Sequence, residues 1–554
     1  MPPGLDDEVA FISNVKADGT LALYSYDAWN PGTIPADYSG GSTNAEKWGG
    51  ITAGTPGGTV YYYFNPASNW SSTEQSVLAA GLALWSDIAN ISFALTADST
   101  QAQIKFTRGS NGGASTSHQA VDTSPGRTAG DTGGTYLFHL TSATISIDTS
   151  VAGFGPISNN FSTYGGYPID SLLHEEGHAI GLGHAGPYNS TVNPATQQFS
   201  AYDTRLWGIM SYIEPRTTTA AYYSQYPVTG TVWGGNDPTT WMPLDIIAAQ
   251  ALYGLPTSTP LSGGQTFGFN CNIQGPSEMF FDFTKNTNPV ITIWDMGTNN
   301  TLDISGFSTS SRINLNPGTF SSCDGLTNNI CIAFNTAIDR FVGGSGNDTV
   351  TANNDGDTLI GGLGNNTLIG GAGFDRAVYS GNYAAYTITY NSNGSVTIAG
   401  LGLTDTLANI EEADFTDQAL ALGNSLASIS IGNASVIEGG VLHFGVTLDQ
   451  AAAQNITLGY DTFFGTASMA DSDYLGGMGT LTIQAGQTTG TINIQTVQDG
   501  QVEPDETMSV HLLTTNLGNI TQGIGTGTIL SNSSMTPPFG AYSNSLTATL
   551  AGIS

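Results

Sequence analysis

The stretch that most restricts what this chain can fold into is a nine-residue period from Gly343 to Val378. Its units are Gly343-Gly-Ser-Gly-Asn-Asp-Thr-Val-Thr351, Ala352-Asn-Asn-Asp-Gly-Asp-Thr-Leu-Ile360, Gly361-Gly-Leu-Gly-Asn-Asn-Thr-Leu-Ile369 and Gly370-Gly-Ala-Gly-Phe-Asp-Arg-Ala-Val378. Each unit is a Gly/Asx turn followed by a short strand. One such unit buries no core alone; it must stack on its neighbours. The spacing predicts a parallel β-roll with Val350, Leu359 and Leu368 inside. Gly344, Gly346, Gly362 and Gly364 permit the tight turns. Asp348, Asp357 and Asp375 hold the sixth place of the turn. With backbone carbonyls they offer the all-oxygen set that suits Ca²⁺. Asn366 takes that place in the third unit and weakens its site. A flexible Gly/Asn linker is the alternative, and the equivalent apolar positions argue against it.

A second stretch sets the chemistry. In His174-Glu-Glu-Gly-His178-Ala-Ile-Gly-Leu-Gly-His184 the first two histidines stand four apart. On a helix they share one face, and two imidazoles so placed can ligate one Zn²⁺. Glu175 can reach a metal-bound water as general base. Gly181 tolerates a left-handed backbone and can end the helix there. The chain then turns back and brings His184 to the same metal. Three neutral nitrogens leave a position for water, which is the catalytic pattern of zinc. A bare His-Glu-x-x-His also occurs on ordinary exposed helices; the longer pattern is far more specific.

Farther along comes Gly208-Ile-Met210-Ser-Tyr212. The extended zinc signature resembles that of the metzincin peptidases, and the Met-Ser-Tyr run resembles their serralysin branch. The resemblance implies an α+β catalytic domain, one catalytic Zn²⁺ and protein or peptide substrates. It makes Met210 a floor beneath the histidines and Tyr212 a hydroxyl donor to a developing oxyanion. Asp245 to Gly254 reads as a helix ended by glycine and Pro256, similar to the helix that closes serralysin catalytic domains. Thr301-Leu-Asp-Ile-Ser-Gly-Phe307 resembles the serralysin lead-in to its repeats. The repeats themselves resemble RTX proteins, which Gram-negative bacteria export through a type I channel without an N-terminal signal. That implies type I export machinery as a partner and a secreted protein whose roll folds in extracellular Ca²⁺.

Composition agrees. Eleven basic against 44 acidic residues give a net charge of −33, which disfavours nucleic acid and anionic membrane and favours divalent cations. The 72 glycines and 10% charged residues point to turns and strands. No stretch is apolar enough to span a bilayer. Met1-Pro-Pro-Gly-Leu-Asp-Asp-Glu lacks the basic and apolar regions of a signal peptide. Cys323 and Cys331 are near enough in sequence to close a small loop if oxidised, leaving Cys271 over; three buried thiols are equally expected.

At 554 residues several domains are expected, in a monomer. Residues 1–50 are an N-terminal extension, a short pro-segment or a strand added to the next domain. Residues 51–258 form the catalytic domain. Its expected elements are a strand at 59–64, a helix opened by the capping box Ser71–Glu74, strands at 104–106, 135–138 and 144–147, and the zinc helix, capped by Asp170 or Ser171. His118 and His139 read as surface or core residues, His139 with a possible place beside the cleft. The β-roll spans 259–425.

Residues 426–532 carry strands at sandwich spacing with acids at the turns. Glu438, Asp471-Ser-Asp-Tyr474 and Asp499-Gly-Gln-Val-Glu-Pro-Asp-Glu506 resemble a Calx-β domain, an antiparallel β-sandwich binding Ca²⁺ between loops at one end. Glu438, Asp461, Asp471, Asp473, Asp499 and Asp505 are its candidate ligands. Serralysins normally end with the roll, so this module departs from their pattern. Residues 533–554 are a polar tail that could carry the export signal. The expected function is secreted zinc endopeptidase. The alternative is a calcium-binding surface or adhesion protein whose peptidase domain is inactive or self-processing.

Overall fold

The computed structural model describes residues 4–22, 46–121, 123, 137–150, 166–189, 191–222, 233–391, 394–422, 427–449, 455–467, 473–484, 487–498, 504–515 and 518–531. The chain divides into two units. One comprises Met1–Thr389 and Val396–Gly423, the other Tyr390–Ser395 and Asn424–Ser554. The tail after 531 lies outside the described residues.

The first unit opens with helix α1 (Leu5–Ser13) and a sheet of β1 (Glu46–Lys47), β2 (Gly58–Phe64), β3 (Ile91–Leu95), β4 (Ile104–Arg108), β5 (Ala114–Val121) and β6 (Phe138–Ile147). The order is β1-β6-β4-β2-β3, with parallel pairs throughout and β5 antiparallel on β6. Helix α2 (Ser72–Ile88) starts at the capping box: Ser71 Oγ accepts from Glu74 N–H (3.2 Å) and Glu74 Oε2 from Ser71 N–H (2.8 Å). Its face of Val77, Leu78, Leu82, Trp85 and Ile88 is fully buried. The two strands expected at 135–138 and 144–147 are a single strand, β6, with Thr135 and Tyr136 outside the described residues. Polar Thr141-Ser142 reads as a break. Instead a bulge in β5 at Gln119/Ala120 absorbs the register shift and the strand runs on.

The N-terminal residues contribute both an added strand, β1, and a buried helix. In α1, Phe11 and Ile12 have no exposed surface, and the Ile12 carbonyl accepts from Gly183 N–H at 2.8 Å. Helix α3 (Tyr167–Ala179) carries the first two histidines of the motif. Neither Asp170 nor Ser171 caps it. Gly166, at φ +82°, is the cap, and Pro168 sits inside the first turn, where its missing N–H costs nothing. Asp170 instead lies one turn in, on Arg205 (3.1 Å). After the short α4 (Pro194–Gln197), α5 (Pro243–Tyr253) closes against Gly254 as its spacing predicts.

Beyond α5, three-residue strands alternate between two parallel sheets. Arg312–Asn314, Thr349–Thr351 and Thr367–Ile369 stack in one. Thr301–Asp303, Arg340–Val342, Thr358–Ile360 and Arg376–Val378 stack in the other. Each repeat buries its middle residue: Val350, Leu359, Leu368 and Ala377. The apolar core is continuous from Val9 to Leu422 across residue 258. Thr239 N–H donates to Val290 O and Thr292 N–H to Thr240 Oγ1, both at 2.9 Å. All three cysteines are unbonded, Cys323 and Cys331 buried.

The second unit is a pair of five-stranded sheets with their own core, including Ile429, Phe444, Val446, Leu458 and Val510. Alternate inward residues along Val441–Leu448 are buried and the intervening ones exposed or half-buried, the pattern of a strand with one wet face.

Candidate metal centre

Helix α3 places His174 and His178 one turn apart. Two distant side chains hold its end: Trp48 Nε1 donates to Ala179 O (2.8 Å) and Tyr253 OH to Ile180 O (2.6 Å), satisfying carbonyls that a helix end leaves open. Gly181 follows at φ +98°, where a Cβ would collide with the Glu46 carbonyl. The reversal brings His184 back. His178 Nε2 lies 3.1 Å from His174 Nε2 and 3.1 Å from His184 Nε2. Both partners of the helical pair are oriented from behind. His174 Nδ1 faces Ile209 O and His178 Nδ1 faces Leu182 O, each at 2.8 Å. A carbonyl only accepts, so these Nδ1 atoms carry the protons and the Nε2 atoms present lone pairs. Burial lowers His174 to about 4 and holds His184 well below the usual histidine range. Converging lone pairs at this separation repel unless a cation lies among them. The donor set therefore fits a metal with imidazole affinity such as Zn²⁺.

The adjacent glutamates point in different directions. Glu175 faces the cleft, where Thr116 Oγ1 of β5 donates to its Oε2 (2.7 Å) and its main-chain oxygen (2.9 Å). Burial raises it to about 7, with the Thr116 bond opposing. Glu176 points into the core, where a Cβ on Gly81 of α2 would collide with its carboxyl. Burial raises Glu176 well above the carboxylate range.

Met210 is fully buried beneath α3; a Cβ on Gly177 would come within 2.7 Å of its sulfur. Asp245 pins this turn, accepting from Ile209 N–H and Met242 N–H at 2.8 Å each. The Tyr212 ring lies 4.6 Å from His184 and 5.5 Å from His174 between centroids. Burial, then the nearby Glu175, raises its hydroxyl to about 12, so it remains a proton donor. The sequence reading missed Tyr188 and Asp203. Tyr188 stacks on Tyr212 and His184, and its hydroxyl donates to Asp203 Oδ1, which also accepts from Ser211 Oγ (2.7 Å). Their only signal was polarity inside a loop. The cleft has a volume of about 470 Å³ and is lined by His174, Glu175, Tyr212 and Arg205 among others. His139 is not among its lining residues; its Nδ1 lies 3.0 Å from Gly49 O. His118 lies against Glu46 (3.2 Å).

In the roll, Asp348, Asp357, Asn366 and Asp375 form two buried stacks. Asp348 N–H donates to Asn366 Oδ1 (2.9 Å) and Asn366 N–H to Asp405 Oδ1 (2.8 Å). In the other stack Asp357 N–H donates to Asp375 Oδ1 (2.6 Å) and Asp375 N–H to Glu411 Oε2 (2.7 Å). Asp405 and Glu411 are members that the nine-residue period did not reveal. Gly362 and Gly364, at φ +81° and +89°, lie directly over Gly344 and Gly346, leaving no room for a side chain. Asp348 Oδ2 is buried without a hydrogen-bond partner, which fits a cation there. Asn366 Nδ2 donates to Asp405 Oδ1 (3.1 Å), and in the other stack Asn353 Nδ2 donates to Asp357 Oδ1 (3.2 Å).

In the sandwich, Glu438 and Asp473 line one small cavity with Glu506, which was not among the candidate ligands. Asp505 Oδ1 accepts from Ser531 N–H (2.9 Å) at the same end. Asp461 does not join them. It lies within strand Ile456–Phe464, paired with His511, because the turn expected there is strand interior. Asp471 and Asp499 lie outside the described residues.

Two protein families match this chain. Peptidase M10 serralysin C terminal covers residues 259–440 and Calx-beta domain covers 428–531. Among curated proteins, Metallopeptidase AprA of Pseudomonas marginalis is 32% identical over 52% of this chain and 55% of its own length. Serralysin B of Dickeya chrysanthemi is 32% identical over 48% of this chain and 50% of its own. Serralysin C of the same organism is 38% identical over 33% and 36%. The chain spans about half the length of the first of these relatives. The resemblance to serralysin-like metalloproteases, with a Calx-beta domain added, holds in these comparisons.

Proposed function

We propose that this protein is a secreted zinc endopeptidase. The observation that carries the proposal is the convergence of three Nε2 atoms, those of His174 and His178 presenting lone pairs, beside a cleft-facing glutamate. His174, His178 and His184 would hold Zn²⁺, which when bound supplies the charge that polarises the scissile carbonyl and acidifies a water. Glu175, held by Thr116, takes the water's proton and passes it to the leaving amine. Tyr212 donates its hydroxyl to the oxyanion. Met210 stays under the helix and keeps the imidazole platform level. Strand β5 pairs only with β6 among the described strands, so its other edge can hold an extended peptide by main-chain hydrogen bonds.

The relatives found are named as metalloproteases and serralysins, which supports peptide substrates. The buried roll acids and the Glu438, Asp473 and Glu506 cluster are proposed to take Ca²⁺, and type I export is the proposed route out of the cell. Casein hydrolysis tests the reading. It should disappear on dialysis against a zinc chelator and return when about one equivalent of Zn²⁺ is added. Hydrolysis that survives complete zinc removal would overturn it.

A further inference from the structure

The cleft continues along α3 beyond His174. Tyr167, Asp170, Ser171 and His174 recur at i, i+3, i+4 and i+7, so they share one helix face, and all four line the cleft. Thr191 and Val192 add to the wall, and Arg205 is part of the same lining. Arg205 faces three carboxylates, one of which, Asp237, also feels Arg216. Its Nη1 lies 3.1 Å from Asp170 Oδ2, 3.0 Å from Glu214 Oε1 and 3.2 Å from Asp237 Oδ1. That nitrogen carries two hydrogens, so three carboxylates compete for two donors. Its Nε is committed to Ser211 O at 3.2 Å. Asp170 is only 2% exposed, yet its second oxygen, Oδ1, has no hydrogen-bond partner. An unmet acceptor of that kind is costly in a buried place.

Resting on the peptidase reading, we propose that this end of the cleft is a specificity subsite for a lysine or arginine side chain of the substrate, at a fixed position beside the scissile bond. The cation completes the Asp170 cluster. Its alkyl stem lies along Val192 and the ring of Tyr167, as long basic side chains do on apolar surface. Burial raises Asp170 to about 8 despite Arg205. An acidic substrate side chain would meet another acceptor, the unmet Asp170 Oδ1, and is disfavoured.

The test is a mixed peptide library digested by the zinc-loaded protein, with cut sites read by mass spectrometry. It is followed by kcat/KM for a matched pair of peptides carrying lysine or norleucine at the selected position. Lysine and arginine should be enriched at one position. The lysine-to-norleucine ratio should fall about tenfold in Asp170→Asn. It should fall less in Glu214→Gln, which removes a partner at the more exposed edge. A ratio is unaffected by loss of active enzyme, and the Glu214 variant decides if the Asp170 variant does not fold. Cleavage without basic enrichment, or a ratio unchanged in the variants, overturns the subsite and leaves the peptidase reading standing. No cleavage of any peptide by the zinc-loaded protein overturns both.

Discussion

Glu175 and Glu176 are chemically identical and adjacent, and α3 gives them opposite fates. One rotation of a helix, 100° per residue, sends the first to the cleft and the second against Gly81. Tyr212 tests the residue-scale account. Its ring is held by stacking on Tyr188, and its hydroxyl has no structural bond to lose among the described residues. Tyr212→Phe should therefore lower kcat by about a hundredfold while leaving zinc content and KM nearly unchanged. An equal loss in KM would make it a binding residue instead. The spacing of the motif was enough to read His174, His178 and Glu175, because helical geometry is fixed by the sequence interval, and His184, because Gly181 permits the reversal that returns it. Tyr188 and Asp203 were not legible. They act through a loop whose path is set by tertiary contacts, and no local period marks them.

At the scale of elements, the roll was legible because its period is rigid, and Asp405 and Glu411 were hidden because they stack from beyond the last repeat. The stacked acids make a prediction about pH. Burial raises Asp357 to about 7 and Asp375 and Asp405 to about 6, from an ordinary 3.8. Folded carboxylates with raised pKa bind protons that the unfolded chain releases. Their contribution is present in full below about 3.8 and is lost as pH rises through 6 to 7. Thermal melts in a calcium chelator should show Tm falling between pH 5 and pH 8, with the largest recovery on adding Ca²⁺ at pH 8. A chelated Tm that is flat or rises over this range would contradict the stacked-acid picture. The N-terminal helix was not legible as structure at all. Its role depends on the Gly183 to Ile12 hydrogen bond and on Phe11 against Phe199 (4.3 Å), contacts that no local pattern encodes.

At the scale of the whole molecule, the metal centre and the roll share one apolar core. Trp207, near the methionine turn, packs on Phe320 at 5.0 Å between centroids. Calcium removal should therefore destabilise the zinc site as well. In chelator the circular dichroism of the roll and the release of zinc to a colorimetric indicator should change at one temperature. Two transitions separated by many degrees would mean the halves fold independently. The charge of −33 fits a protein that meets calcium rather than nucleic acid. In the proposed function Glu175, beside His174, His178 and His184, turns a metal site into a peptidase. The most direct measurement of this role is peptide cleavage by the wild type and Glu175→Gln, each carrying one zinc by elemental analysis. The account predicts equal zinc and a rate lower by about 10²–10⁴ in the variant; full turnover in the zinc-loaded variant would contradict it.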